Sequence, residues 1–234
     1  NDAKPVVVTG PESQGFKLDA ATLEAAITPR TRWLILNSPS NPSGAVYSAA
    51  ELRALTDVLL RHPQVWILSD EIYAPFCYSG QSHASPVQVE PQLIPRTLIV
   101  NGMSKSYAMT GWRIGYGAGP GDLIKAMSTV MSQSTSCPSA ISQVAAQAAL
   151  EGDQSSVTQM VDIFKARRDL IVRRLNDIPG ISCAMPDGAF YVYANVQGLI
   201  GRTGPAGELK TDLDVSLFFL REAGVAVIDG GSYG

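Results

Sequence analysis

WLILNSPSNPSGAVYSAAELRALTDVLLRHPQVWILSDEIY, residues 33–73, decides the fold. Two apolar runs, Trp33 to Asn37 and Val65 to Asp70, bracket a stretch from Ser48 to Arg61 whose apolar residues recur at helical spacing. A strand, an amphipathic helix and a second strand in that order form a crossover unit, which lays the two strands parallel. Working outward, Val6 to Thr9 reads as a strand and Leu18 to Ile27 as a helix, extending the β-α-β-α-β rhythm of a mostly parallel sheet covered on both faces. A further strand, Thr97 to Asn101, follows a Pro-rich loop from Ser79 to Pro95. The segment GWRIGYGAGP (111–120) alternates like a strand before a helix starting near Gly121.

Helical patterns then run from Ser139 to Leu150 and from Ser155 to Asp177, the second with a solvated basic face of Lys165, Arg167, Arg168, Arg173 and Arg174. After Pro179-Gly180 come strand-like Ile181 to Ala184, Phe190 to Asn195 and Val225 to Ile228, a polar Gly-rich insertion from Gly198 to Lys210, and a helix from Val215 to Ala223. The expected architecture is α/β: a mostly parallel sheet sandwiched by helices over residues 1–164, joined through the long helix to a smaller α+β domain over residues 165–234. The absence of an initiator Met and the end at GGSYG point to a fragment lacking part of each domain.

Composition limits what such a chain does. Its 234 residues are 45% hydrophobic and 17% charged, a balance that excludes disorder, and no stretch of roughly 18 residues is apolar throughout as a membrane span requires. A net charge of -3 without a basic run gives no nucleic-acid footprint, which leaves small molecules as the expected ligands. Cys77, Cys137 and Cys183 form no CxxC pair and fit a reducing cytoplasm. His62, at a helix end, and His83, in a polar loop, read as surface residues and offer no metal cluster.

Four stretches carry candidate chemistry. NSPSNPSG (37–44) stiffens the turn at the carboxyl end of a parallel strand, where open α/β sheets bind ligands; alone it serves equally as a Pro-stiffened lead into the next helix. ILSDEIY (67–73) ends a buried strand in a carboxylate, so Asp70 needs a cation or a polar ligand unless it caps the following turn. In MSKSYAMTGWRIGYG (103–117), Lys105 follows a strand, where a lysine in a semi-buried cleft can lose its proton and attack a carbonyl. Arg113, further along, offers a planar fork for an oxyanion such as phosphate. GGSYG (230–234) matches a nucleophile elbow, but neither an Asp nor a His follows it, and Gly115, Gly117 and Gly119 miss the dinucleotide spacing.

The ordered set NSPSNPSG, SDEIY and SKSYAMTGWRIGYG closely resembles the class I/II aminotransferases, the aspartate and aromatic branch of the fold-type-I pyridoxal phosphate enzymes. PDGAFY (186–191) and VAVIDGGSYG (225–234) resemble the family's small-domain strands. The resemblance implies that Lys105 carries pyridoxal 5'-phosphate as a Schiff base, that Asp70 pairs with the pyridine nitrogen, that Asn41 and Tyr73 hydrogen-bond the ring 3-hydroxyl, and that Arg113 binds the phosphate. It further implies amino-group transfer between an L-amino acid of the aspartate or aromatic class and a 2-oxo acid, in a homodimer. A β-eliminating lyase on the same fold would share every one of these residues, and the cofactor-sensing domain of a transcription regulator would share the fold.

Residue 102 is Gly where some relatives place a phosphate-binding Ser, and Ser104 is the expected substitute. The family's glycine-rich phosphate turn, its ring-stacking aromatic residue and its α-carboxylate-binding arginine find no counterpart in the chain.

Overall fold

The computed structural model describes residues 3–78, 80 and 82–233. Ser79, at the start of the Pro-rich loop, and Gly234, the last residue of GGSYG, lie outside the described residues. Helix α1 (Ala20–Ala26) is capped by Asp19, whose carboxylate accepts the Thr22 N–H at 2.7 Å. Strand β1 (Trp33–Asn37) leads through the Pro-rich turn to α2 (Ala49–Arg61) and back into β2 (Trp66–Asp70). A reciprocal capping box, Ser48 with Glu51, opens α2, and Arg96 closes it by donating to the Leu59 and His62 carbonyls at 2.6 and 2.9 Å. Leu52, Leu55, Val58 and Leu59 line the buried face of α2 and pack with Leu36, Ile67, Leu93 and Leu23 into the main core.

After α3 (Pro86–Val89), strand β3 (Thr97–Gly102) pairs parallel to β2, which itself pairs parallel to β1. The short turn α4 (Met103–Ser106) and a 3-10 turn at Thr110–Trp112 connect β3 to β4 (Gly115–Ala118), which returns antiparallel. The sheet order is β1-β2-β3-β4. Helices α5 (Gly121–Ser134), α6 (Ala140–Glu151) and α7 (Ser155–Asn176) follow. A hairpin of β5 (Thr203–Gly204) and β6 (Gly207–Glu208) lies within the polar insertion, ahead of α8 (Asp212–Ala223). Among the described residues no helix is long and apolar enough to cross a membrane.

The α/β class is as expected, with the two sheet faces unequally covered. Helices α1 and α2 bury the face that carries Leu36 and Ile67, and α5 reaches the other face near Leu98, but Ile35 on that second face stays 70% exposed. Several expected strands do not form. Among the described residues Val6 to Thr9 pairs with no strand, and Val6 is 75% exposed, because β-branched residues make a strand only where a ladder receives their backbone groups. Ile181 to Ala184 and Phe190 to Asn195 meet through a single bridge, Ser182 to Asn195, and Val225 to Ile228 finds no ladder. The strand expected within 111–120 is confined to β4, since the residues before it coil into the 3-10 turn.

Neither histidine is a plain surface residue. His62 ends α2 half-buried, its Nε2 at 2.7 Å from Glu24. The His83 side chain is only 13% exposed and packs against Glu71.

Candidate active site

The three parallel strands deliver Asn37, Asp70 and Gly102 to one edge of the sheet, and the candidate residues follow each of them. Both X-Pro bonds of NSPSNPSG, Ser38-Pro39 and Asn41-Pro42, are cis. Asn37 ties the loop to β2: its amide donates to the Asp70 carbonyl at 3.1 Å, and its side-chain oxygen accepts the Asn41 N–H at 2.7 Å. Asn41 is thereby placed beside the end of β2 with its side chain exposed.

Asp70 is half-buried, and its Oδ1 accepts the Ile72 N–H at 3.1 Å. One carboxylate oxygen therefore caps the following turn, as the capping alternative anticipates, while Oδ2 makes no hydrogen bond among the described residues. The turn closes through Ala74 N–H to Glu71 O (2.9 Å) and Phe76 N–H to Tyr73 O (2.8 Å), which brings Tyr73 inward until it is 4% exposed. Its ring stands edge-on to Phe190 and Tyr191, with centroids 5.2 and 5.5 Å away, and its hydroxyl meets that of Tyr191. Burial first, then the Tyr191 contact and the nearby Asp70 charge, push the Tyr73 phenol well above its ordinary range. The phenol is protonated throughout physiological pH.

Lys105 lies in α4, just beyond the end of β3, with Nζ 5.9 Å from the Tyr73 ring centroid and 5.8 Å from that of Phe190. Those distances fall within the reach of a cation–π contact. Its amine makes no hydrogen bond or ion pair among the described residues, so nothing polar holds it away from a carbonyl.

Gly102 explains the absence of a serine there: a Cβ would lie 2.9 Å from Gly115 Cα and 3.1 Å from the Ile114 carbonyl, where β3 and β4 approach. Thr110 joins the two expected phosphate ligands. Its hydroxyl donates to the Ser104 carbonyl at 3.1 Å, and its own carbonyl accepts from Arg113 Nη1 at 2.9 Å. Arg113 adopts a left-handed backbone (φ 52°) and is exposed, with the rest of its guanidinium free among the described residues. Non-glycine residues in that region are strained by about 1–2 kcal/mol, and such strain gathers at functional sites.

The structure therefore brings Tyr73 and Lys105 into contact, sets Asp70 within electrostatic reach of Tyr73, ties Asn41 to the end of β2, and links Ser104 to Arg113 through Thr110. An amine, a carboxylate, a phenol, an amide and a guanidinium at one sheet edge suit a ligand bearing a carbonyl, a basic nitrogen, a ring oxygen and an oxyanion. Sequence reasoning missed Phe190, Tyr191, Asn37 and Thr110. The signal for the aromatic pair was the PDGAFY motif, which was read as a strand. A separate apolar cavity of about 540 Å³ lies between α7 and α8, lined by Ile171, Leu175, Val215 and Phe219 among others, and no candidate site residue borders it.

A family model described as aminotransferase class I and II matches residues 1–234. The chain is 54% identical over 234 residues to an aspartate aminotransferase of Rhizobium meliloti (strain 1021), covering all of this chain and 57% of that protein. It is 52% identical over 231 residues to an aspartate/prephenate aminotransferase of Cereibacter sphaeroides, covering 98% of this chain and 58% of that one. Among solved structures, the Rhizobium meliloti aspartate aminotransferase superposes with a TM-score of 0.95 at 54% identity over 99% of this chain and 58% of that chain. An aromatic aminotransferase of Pyrococcus horikoshii gives 0.89 at 36% identity over 99% of this chain and 59% of that one. The chain thus spans less than two thirds of the length of these relatives, and over that span it belongs to the class I and II aminotransferase family.

Proposed function

We propose that the protein is a pyridoxal-phosphate-dependent aminotransferase that moves an amino group between an L-amino acid of the aspartate or aromatic class and a 2-oxo acid. The observation that carries this reading is the free Lys105 amine set against Tyr73 at the sheet edge that also presents Asp70. The donor set fits the cofactor: each polar group of pyridoxal 5'-phosphate has a residue of matching chemistry at that edge. When bound, the cofactor supplies an electron sink for the carbanion of the substrate. Lys105 anchors it through the amine. Asp70 holds the proton on the ring nitrogen by direct charge attraction, through the carboxylate oxygen that the backbone leaves free. Tyr73 and Asn41 would hold the ring oxygen by hydrogen bonds, and Arg113 with Ser104 would hold the phosphate. With the cofactor bound, the Lys105 amine would serve as general base at the substrate Cα and then as general acid.

Three further expectations join this proposal. The division into a larger unit over 1–164 and a smaller one over 165–234 is supported by the confinement of the main sheet to residues 33–118. A homodimer is supported by the exposed apolar side chains Trp112, Val130, Ile141 and Val144, and a cytoplasmic setting by the three free cysteines. The test is to incubate the protein with nitrogen-labelled aspartate and 2-oxoglutarate. Label in glutamate is expected, and label released as ammonia would overturn the proposal in favour of elimination.

A further inference from the structure

We propose that Tyr191 is a positioning residue that fixes the direction of the Tyr73 hydroxyl, an inference that rests on the aminotransferase reading above. The two hydroxyls meet across 118 residues of sequence, and their geometry allows either to donate. A phenol has one proton to give and two lone pairs to receive with. If Tyr73 donates to Tyr191, its only proton is spent inside the pair and nothing remains for a ring oxygen of the ligand. If Tyr191 donates to Tyr73, the Tyr73 proton is free to point at that oxygen, and the two hydrogen bonds run in one direction and reinforce each other. A ligand with an electron-rich oxygen facing Tyr73 selects the second arrangement, because only there does every hydroxyl proton have an acceptor.

The pair is held where this matters. Phe190 and Tyr191 stand edge-on around the Tyr73 ring, so the ring has no room to turn its hydroxyl away. The segment carrying them is docked by backbone hydrogen bonds: Gly188 N–H to Gly44 O at 2.8 Å, Ala189 N–H to Phe76 O at 2.9 Å and Tyr78 N–H to Asp187 O at 2.8 Å. Tyr78 also donates its hydroxyl to the Ala189 carbonyl. Tyr191 thus reaches the site on a rigid support that spans both NSPSNPSG and the turn after β2. Tyr191 acts through Tyr73 and assists the stronger donation that favours the ring-oxygen anion.

The test compares Tyr191→Phe, Tyr73→Phe and the double variant, each loaded with pyridoxal 5'-phosphate, by the pH midpoint of the cofactor's visible absorbance change. Losing Tyr191 as a donor weakens the Tyr73 hydrogen bond, so the midpoint of Tyr191→Phe is expected to rise by about half a pH unit. In the Tyr73→Phe background, adding Tyr191→Phe should produce no further rise, since the residue has lost what it acts through. An unchanged midpoint in Tyr191→Phe, or a full rise that persists without Tyr73, would overturn the inference. Failure of the unsubstituted protein to develop any visible band would overturn the aminotransferase reading itself and this inference with it, so the two failures are distinguishable. Thermal melting of the unloaded variants verifies that each is folded.

Discussion

Glu71 and His83 form a buried contact beneath the turn that carries Asp70 and Tyr73. Glu71 Oε2 lies 3.1 Å from His83 Nε2, outside hydrogen-bond alignment, while Oε1 accepts the hydroxyls of Ser69 at 2.9 Å and Ser85 at 2.6 Å. Glu71 also donates its N–H to Val100 O at 2.9 Å, continuing the β2–β3 pairing one residue past Asp70. The carboxylate is therefore a pin that joins β2, the loop before α3 and the site turn.

That pin gives a pH dependence. Burial pushes the Glu71 carboxyl up, but His83, Ser85 and Ser69 together outweigh it and hold the group below its ordinary value of 4.5. A depressed carboxyl contributes stability that is present above the unfolded value and is lost as pH falls through the folded one. The melting temperature is expected to drop on acidification below about pH 4.5. Glu71→Gln should lower stability at neutral pH, on the order of 1–3 kcal/mol, and flatten that acid-side drop. An acid-side drop unchanged in Glu71→Gln would show that other carboxyls cause it.

Asp70→Asn keeps an oxygen to cap Ile72 while removing the charge, so it separates the two roles of the residue. The protein should fold and retain cofactor, yet the half-reaction should slow by about a hundredfold, corresponding to about 3 kcal/mol of lost transition-state stabilisation. Stopped-flow single turnovers measure this. Rates close to those of the unsubstituted protein would assign Asp70 to capping alone.

Arg113→Lys preserves the charge and the left-handed backbone requirement, and removes the fork. Thermal stability without cofactor should be unchanged, while the dissociation constant for pyridoxal 5'-phosphate should rise about tenfold to a hundredfold, the equivalent of roughly 1–3 kcal/mol for a charge-assisted contact. Equilibrium dialysis would show the phosphate to lie elsewhere if affinity stayed the same.

Gly44 and Gly15 make a matched comparison. Both have left-handed backbones, φ 69° and φ 64°, but a Cβ on Gly44 would lie 2.4 Å from Pro186 Cβ and 2.8 Å from the Gly188 carbonyl, whereas Gly15 faces open space. Gly15→Ala should cost about 1 kcal/mol of conformational strain, and Gly44→Ala about 1–3 kcal/mol more as the 186–191 segment is forced off its seat. The displaced Tyr191 should also shift the absorbance midpoint in the direction of Tyr191→Phe. Equal melting temperatures for the two variants would show that the close approach carries no weight.

What was legible in the sequence is what local patterning determines. WLILN forms a strand over the residues expected, and the helical spacing from Ser48 to Arg61 forms α2 within a residue of its expected start, because each signal lies within a few residues of its effect. The candidate residues were legible as motifs at strand ends. Contacts across long separations were not. PDGAFY resembles a small-domain strand of the family, but its backbone groups are taken by Gly44, Phe76 and Tyr78, so it docks as a support for Tyr73 without forming a ladder. His83 sits among polar loop residues in sequence, and only the fold returns it to Glu71. Val6 to Thr9 has strand composition but pairs with no strand among the described residues.

The anchoring role of Lys105 is tested most directly by borohydride reduction of the cofactor-loaded protein followed by peptide mapping. The pyridoxyl group is expected on Lys105, the lysine held beside Tyr73 and Phe190. A pyridoxyl group on Lys125 of α5 or Lys165 of α7, with Lys105 unmodified, would contradict it.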